Sequence, residues 1–191
     1  GGLVLRQACY GDDVRLPDTG LPVHSLAAAV VAIRQLEPAL ELSAIEQLLA
    51  GLTLAGRYET LNLLPKVVAD VGHNPHAAAW LAERLGRQKK SGGHVIAVYG
   101  ALADKDVEGV ARAMSRVVDQ WHLVGLAVPR GLTSQELAAR LADVIHEALP
   151  KRWPSVGEAL EFALARASQD DLVIVFGSFY TVAAARDALG K

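Results

Sequence analysis

Residues 94–106 read His94-Val95-Ile96-Ala97-Val98-Tyr99-Gly100-Ala101-Leu102-Ala103-Asp104-Lys105-Asp106. An apolar run rich in β-branched residues, with no polar interruption after His94, suits a strand buried on both faces. Gly100 then allows a sharp turn, and Asp106 is placed to cap a helix over 107–118. The same strand–loop–helix unit recurs on either side. Upstream, 66–71 reads as a strand and 76–86 as a helix. Downstream, 121–126 is a strand and 134–149 a helix. Trp153 falls in a short connecting strand, and 155–167 is helical. Leu172-Val173-Ile174-Val175-Phe176 is the last long strand, and a helix over 182–189 closes the chain. This alternation predicts an α/β fold: a Rossmann-like, mostly parallel sheet with helices on both faces.

Working toward the N-terminus, the pattern changes before Gly56. Residues 1–20 read as short strands and turns, with turn chemistry at Gly11-Asp12-Asp13 and Pro17-Asp18-Thr19-Gly20. Leu26, Val30, Ile33 and Leu36 recur at helical spacing over 23–36, and Pro38 ends that helix. Ser43 and Glu46 form the pattern of a capping box for a second helix that runs to Gly51. A boundary is expected near 53–57, with the two helices before it belonging to the tail of another domain.

The composition bounds the function. The 191 residues are 51% hydrophobic, enough for a sizeable core. A net charge of −2, from 19 basic and 21 acidic residues, gives no field that would hold nucleic acid or an anionic membrane. The cluster Arg87-Gln88-Lys89-Lys90 reads as a solvated helix end. The single Cys9 cannot form an internal disulfide, which favours a reducing, cytoplasmic location. No apolar run approaches the ~18 residues of a membrane span. Gly1-Gly2-Leu3-Val4-Leu5-Arg6 lacks the features of a signal peptide. The first residue is not Met, so an expressed or proteolytic fragment is expected.

In open α/β sheets ligands bind beyond the carboxyl ends of the strands. The first strand is followed by Asp70-Val71-Gly72-His73-Asn74-Pro75-His76. Asp70 can accept bonds from a ribose diol, and His73 can meet a base or a phosphate. Asn74 either caps the next helix or faces a ligand. A metal reading of Asp70, His73 and His76 lacks a fourth ligand. After the second strand, Lys105 either holds a carboxylate or phosphate or is a solvent lysine in a capped loop. After the last strand, Gly177-Ser178 either offers backbone N–H groups and a hydroxyl to an anion or simply makes a capped turn. Pro129-Arg130-Gly131 lies at the same edge as a further anion contact. Arg57, in Gly56-Arg57-Tyr58-Glu59 at the expected junction, can pair with phosphates or make an interdomain salt bridge. No G-x-G-x-x-G follows the first strand, which argues against a dehydrogenase.

Taken in order, these segments resemble the folylpolyglutamate synthase/dihydrofolate synthase family of the Mur ligase superfamily, in its bacterial bifunctional type. Leu21-Pro22 leading into Leu26-Ala27-Ala28-Ala29-Val30 is similar to the last helix of that family's central domain. Leu54-Ala55-Gly56-Arg57-Tyr58-Glu59 resembles its interdomain junction. Asp70-Val71-Gly72-His73-Asn74-Pro75-His76-Ala77 is similar to its D-x-A-H-N-P-x-A signature. Leu102-Ala103-Asp104-Lys105-Asp106 and Gly177-Ser178-Phe179-Tyr180-Thr181-Val182 resemble its other two C-terminal motifs.

The resemblance implies an ATP-dependent, Mg²⁺-assisted amide ligase. A carboxylate of dihydropteroate or of a reduced folate becomes an acyl phosphate, and the amine of L-glutamate attacks it. It implies that residues 1–52 are the tail of a central ATP-binding domain, and that 53–191 form the Mur-ligase-type C-terminal α/β domain. Arg57 would then approach the phosphates, and Asp70 and His73 the nucleoside. Asn74, Lys105 and Ser178 would lie toward glutamate, and no residue of this part would act as a nucleophile.

Two residues depart from the family pattern. Gly72 replaces the usual alanine, a change expected to add only backbone freedom. Ser25 stands where the family has an adenine-contacting asparagine, with His24 as a substitute. No G-x-x-x-x-G-K-[ST] loop occurs, so an N-terminal P-loop domain is expected as partner and the chain alone is expected to be inactive. The alternatives are a stand-alone nucleotide- or amino-acid-binding module, or a domain of another Mur-type amide ligase.

Overall fold

The computed structural model describes residues 3–7, 12–145 and 150–191. Cys9, Gly11 and residues 146–149 of the expected 134–149 helix lie outside them. The chain divides into two compact units, Gly1–Arg57 and Tyr58–Lys191.

In the first unit β1 (Leu3–Gln7) and β2 (Asp12–Leu16) form an antiparallel ribbon, followed by α1 (Val23–Leu36) and α2 (Leu42–Ala50). Val14, Leu16, Leu26, Val30, Ile45 and Leu49 make its core, because Leu26/Val30 and Ile45/Leu49 each recur at one helical turn. The capping box expected at Ser43 is not formed. The helix starts two residues earlier, with Glu41 at the cap and no side-chain cap bond. The Glu46 carboxylate instead accepts the Arg15 amide at 2.8 Å, joining the helix to β2.

The second unit contains β3 (Glu59–Leu63), β4 (Lys66–Asp70), α3 (Pro75–Gln88), β5 (Val95–Tyr99), α4 (Val107–Met114), β6 (Gln120–Val124), α5 (Ser134–Leu141), β7 (Lys151–Trp153), α6 (Val156–Leu164), β8 (Leu172–Phe176) and α7 (Phe179–Ala188). The sheet order is β3-β4-β8-β5-β6-β7, all parallel except β3, which pairs antiparallel with β4. This is the mostly parallel α/β sheet that the alternation predicts.

Residue alternation sorts the strands between two layers. Val68, Ala97, Tyr99, Trp121, Leu123, Ile174 and Phe176 pack against the apolar sides of α3, α4 and α5. Val67, Ala69, Ile96, Val98, Val124, Val173 and Val175 pack against α6 and α7. The chain winds outward from β5 to β7 and then returns through α6, so β8 slots between β4 and β5. The reversal of winding around β8 places the loops after β4, β5 and β8 side by side at one edge.

Several elements differ from the sequence reading, among them α5, which ends at Leu141 rather than 149, and α6, which ends at Leu164 rather than 167. β3 was not expected: its single buried residue, Leu61, carries no periodic signal, and the strand forms by pairing with β4. α4 ends at Met114 rather than at 118, where the Ser115 hydroxyl donates to the Ala111 carbonyl at 2.8 Å and competes with the helix ladder. α7 begins at Phe179 rather than 182, because Ser178 caps it.

Candidate functional site at the carboxyl edge of the sheet

Asp70 closes β4 and is 6% exposed. Its Oδ1 accepts the Gly72 amide at 2.7 Å and its Oδ2 accepts the Tyr58 amide at 2.9 Å. The carboxylate therefore shapes the turn over 70–75 and anchors the chain as it enters β3. Gly72 does more than add backbone freedom: a Cβ there would lie 2.8 Å from Asp70 Oδ1 and 3.2 Å from the Ala77 Cβ. The Asp70–Gly72 contact needs that space. In the same turn Nδ1 of His73 sits 3.0 Å from the Val71 carbonyl. A carbonyl only accepts, so Nδ1 of this half-buried ring carries a proton and Nε2 makes no part of that bond. Asn74 caps α3, its Oδ1 accepting the Ala77 amide at 2.9 Å, with Pro75 in the first turn.

The loops after β5 and β6 clasp each other. Leu102 bridges Gly131, the Ala103 amide donates to the Arg130 carbonyl at 2.7 Å, and the Leu132 amide donates to the Ala101 carbonyl at 3.1 Å. Lys105 Nζ lies 3.0 Å and Arg130 Nη1 3.3 Å from the same Asp104 oxygen. The Lys105 hydrogen bond, with Arg130 beside it, holds the Asp104 carboxyl below its ordinary range. Lys105 is thus fixed in direction rather than loose in solvent. Asp106 caps α4, accepting the Gly109 amide at 2.8 Å.

After β8, Gly177 has φ 113°, and a Cβ there would approach the Gly100 carbonyl oxygen to 2.4 Å. Ser178 is buried and caps α7, its Oγ accepting the Thr181 amide at 3.0 Å. Thr181 Oγ1 donates to the Gly100 carbonyl at 2.9 Å. The 2.7 Å contact between the two hydroxyls must therefore run from Ser178 to Thr181. The hydroxyl proton of Ser178 is used inside the protein, and what this terminus presents outward is backbone N–H.

The second unit brings together Asp70, His73, Asn74, Lys105 and Ser178 at one edge, with the N-termini of α3, α4 and α7. Arg57 ends the first unit, exposed, its amide donating to the Leu54 carbonyl at 3.1 Å in the turn that precedes Tyr58. His24 and Ser25 are exposed in the first turn of α1. Sequence reasoning missed Asp104 as the acceptor shared by two cations and Thr181 as the link between loops. The spacing S-x-x-T before a helix was the available signal for Thr181; the φ of 63° that turns Arg130 toward Asp104 had none.

The edge offers positive helix ends, oriented cations and fixed donors, which bind and align anions. Among the described residues no three His, Cys, Asp or Glu side chains are grouped so that they could hold a metal ion. No helix of the described residues is long and apolar enough to cross a membrane.

Comparison with known proteins agrees with this architecture. Residues 56–179 match the family model described as Mur ligase, glutamate ligase domain. The chain is 37% identical over 174 residues to the dihydrofolate synthase/folylpolyglutamate synthase of Escherichia coli K12, covering 91% of this chain and 40% of that protein. The crystal structure of a bifunctional folylpolyglutamate synthase/dihydrofolate synthase from Yersinia pestis, complexed with AMPPNP and Mn ion, superposes with a TM-score of 0.86 at 34% identity, over 96% of this chain and 43% of that one. A structure of such an enzyme with Mn, AMPPNP and L-glutamate bound gives a TM-score of 0.85 at 35% identity, over 96% and 43% of the two chains. The chain thus spans about two fifths of the length of the relatives it matches. With its family model, its sheet order and its sequence relatives in agreement, this chain belongs to the Mur ligase, glutamate ligase domain family.

Proposed function

We propose that this chain is the C-terminal part of an ATP-dependent amide ligase that adds L-glutamate to dihydropteroate, to reduced folates, or to both. The observation that carries the reading is the carboxyl edge itself. Three loops that resemble the motifs of one ligase family meet there, and they supply alignment and positive charge rather than a nucleophile with its base. Such a site suits a reaction whose difficulty lies in bringing charged partners together. ATP with Mg²⁺ would supply the phosphoryl group that activates the acceptor carboxylate as an acyl phosphate. The sequence relatives carry this activity in their names, and related structures hold a nucleotide analogue, Mn and L-glutamate.

Residues 1–52 belong, in this reading, to the tail of a central ATP-binding domain, and 53–191 form the domain that closes over it. Arg57 faces the phosphates from the junction. Asp70 holds the turn that presents His73 to the nucleoside. Asn74 and Lys105 lie toward the incoming glutamate, and Ser178 acts there through the helix terminus it builds. In this reading the ligands of Mg²⁺ lie mostly in the missing P-loop domain.

The test is ADP formation by the full-length parent with ATP, Mg²⁺, L-glutamate and either dihydropteroate or tetrahydrofolate, with this chain as the control. Turnover by the parent with either acceptor, and none by this chain, is the expected result. A silent parent with both acceptors sinks the substrate assignment, and robust turnover by this chain sinks the fragment reading.

A further inference from the structure

A second polar site lies at the opposite edge of the sheet. Near the amino ends of β5, β6 and β8, a cavity of about 380 Å³ opens beside the C-terminal end of α6. That volume falls at the small end of ligand pockets. His122 lines it from β6 and is 2% exposed. The imidazole stacks on Trp153 with centroids 5.8 Å apart and an angle of 7°. Its Nδ1 is fully buried without a hydrogen-bond partner, and neither ring nitrogen has one among the described residues. A neutral imidazole has one donor and one acceptor, and a buried unused donor costs about 1–3 kcal/mol.

The charges around this cavity are unbalanced. Arg166 Cζ lies 3.6 Å and Lys151 Nζ 4.4 Å from the centroid of the Phe162 ring. Neither cation has a carboxylate partner among the described residues. Asp171 also lines the cavity, but its carboxylate is satisfied. Oδ1 accepts the His94 amide at 2.7 Å and lies 3.2 Å from His94 Nδ1, and Oδ2 accepts the Ser168 amide at 2.7 Å. Gln120 and Ser168 complete the polar lining. Spare donors and positive charge face a partly enclosed space that has no free carboxylate.

We propose that this cavity binds a small oxyanion, a carboxylate or a phosphate, gripped by the Arg166 guanidinium with the Gln120 amide and the His122 imidazole as further donors. Arginine suits such a ligand because its planar fork meets two oxygens at once. Burial and the Lys151 charge push the His122 pKa down to about 4, so the ring is neutral in the empty site, and a bound anion raises it. The charged and titratable groups around the ring are Lys151 on β7, Arg166 just past the end of α6, and His94 and Asp171 in the loops before β5 and β8; β5 presents only Ile96 and Val98 to this layer. The site is independent of the ligase reading, since it shares no residue with the carboxyl edge.

The test is a residue-resolved NMR titration of this chain at constant ionic strength, with inorganic phosphate in one arm and succinate in the other. The expected result is saturable shifting of the His122 ring and Arg166 side-chain resonances, with an upward move of the His122 pKa. Saturation by phosphate alone, by succinate alone or by both supports the site and names its source. Arg166→Gln should weaken binding at least tenfold while leaving the amide spectrum of α3 to α5 unchanged. His122→Phe, which keeps the stack on Trp153, should weaken it several-fold. Linear shifts without saturation in both arms overturn the proposal, as does saturable binding that survives Arg166→Gln.

Discussion

Oδ2 of Asp70 accepts the backbone amide of Tyr58 at 2.9 Å, so one carboxylate ties the entry of the edge strand to the exit of the strand beside it. The other oxygen holds Gly72 at 2.7 Å. Asp70→Asn puts an NH₂ group against one of two buried donors. The expected cost is about 1–3 kcal/mol of unfolding free energy, read by urea denaturation. An unchanged midpoint would show that the turn does not depend on this carboxylate.

Glycine substitutions should separate sharply by position. Gly177→Ala forces a Cβ to within 2.4 Å of a backbone oxygen at φ 113°. A loss of several kcal/mol, or failure to fold, is expected. Gly86→Ala, inside α3 with only Val117 Cγ2 at 3.9 Å, should stabilise by about 0.5–1 kcal/mol through helix propensity. Gly72→Ala should fold but push Asp70 aside, and the Gly72 and Tyr58 amides should lose protection from hydrogen exchange.

Ser178→Ala removes the cap of α7 and leaves the buried Thr181 amide without its acceptor. A destabilisation of about 1–2 kcal/mol is expected. Thr181→Val should cost a similar amount by freeing the Gly100 carbonyl. If Ser178→Ala lowers ligase activity in the parent without lowering stability, the hydroxyl touches ligand directly and its assignment as a cap is incomplete.

Acid should weaken the second unit above the range where its carboxylates titrate. His122 is held neutral, with a pKa pushed from 6.5 to about 4 by burial and by Lys151. The unfolded chain therefore binds more protons than the folded one between those values. This contribution is fully present above about pH 6.5 and is lost as pH falls toward about 4. Asp171 acts in the same direction only at lower pH: burial raises its pKa, but the His94 and Ser168 amide bonds outweigh that and hold it below 3.8. His122→Phe should flatten the stability profile between pH 6.5 and 4, as measured by thermal denaturation.

Lys105 offers a separation of function from fold. Its ammonium is partly exposed and pairs only with Asp104 among the described residues. Lys105→Met should change stability by no more than about 0.5 kcal/mol. In the full-length parent it should raise the KM for glutamate more than it lowers kcat. An unaltered KM would remove Lys105 from the glutamate site.

The central strands were legible because they are buried on both faces. Val95 to Tyr99 and Leu172 to Phe176 have no choice of environment, so their apolar runs announce themselves. Helix starts were legible where Asn74, Asp106 and Ser155 stand before apolar periodicity. β3 was not, since an edge strand with one buried residue lacks a period. The Ser43–Glu46 pattern misled because Glu46 found a different backbone donor, on β2. For the site, the sequence placed Asp70, His73, Asn74, Lys105 and Ser178 after strand ends, but not what their side chains touch.

The sequence by itself determined the layered α/β architecture, because the hydrophobic effect reads local period and length, and both lie in consecutive residues. It also determined which loops meet at the carboxyl edge once the strands are parallel. Only the tertiary structure decided which polar groups remain open. Asp70 is held by an amide twelve residues away, the Ser178 proton goes to Thr181, and Thr181 reaches Gly100 across the sheet. The first and last of these bonds join segments brought together by folding, and hydrogen-bond partnership depends on distance and angle in space rather than on separation along the chain.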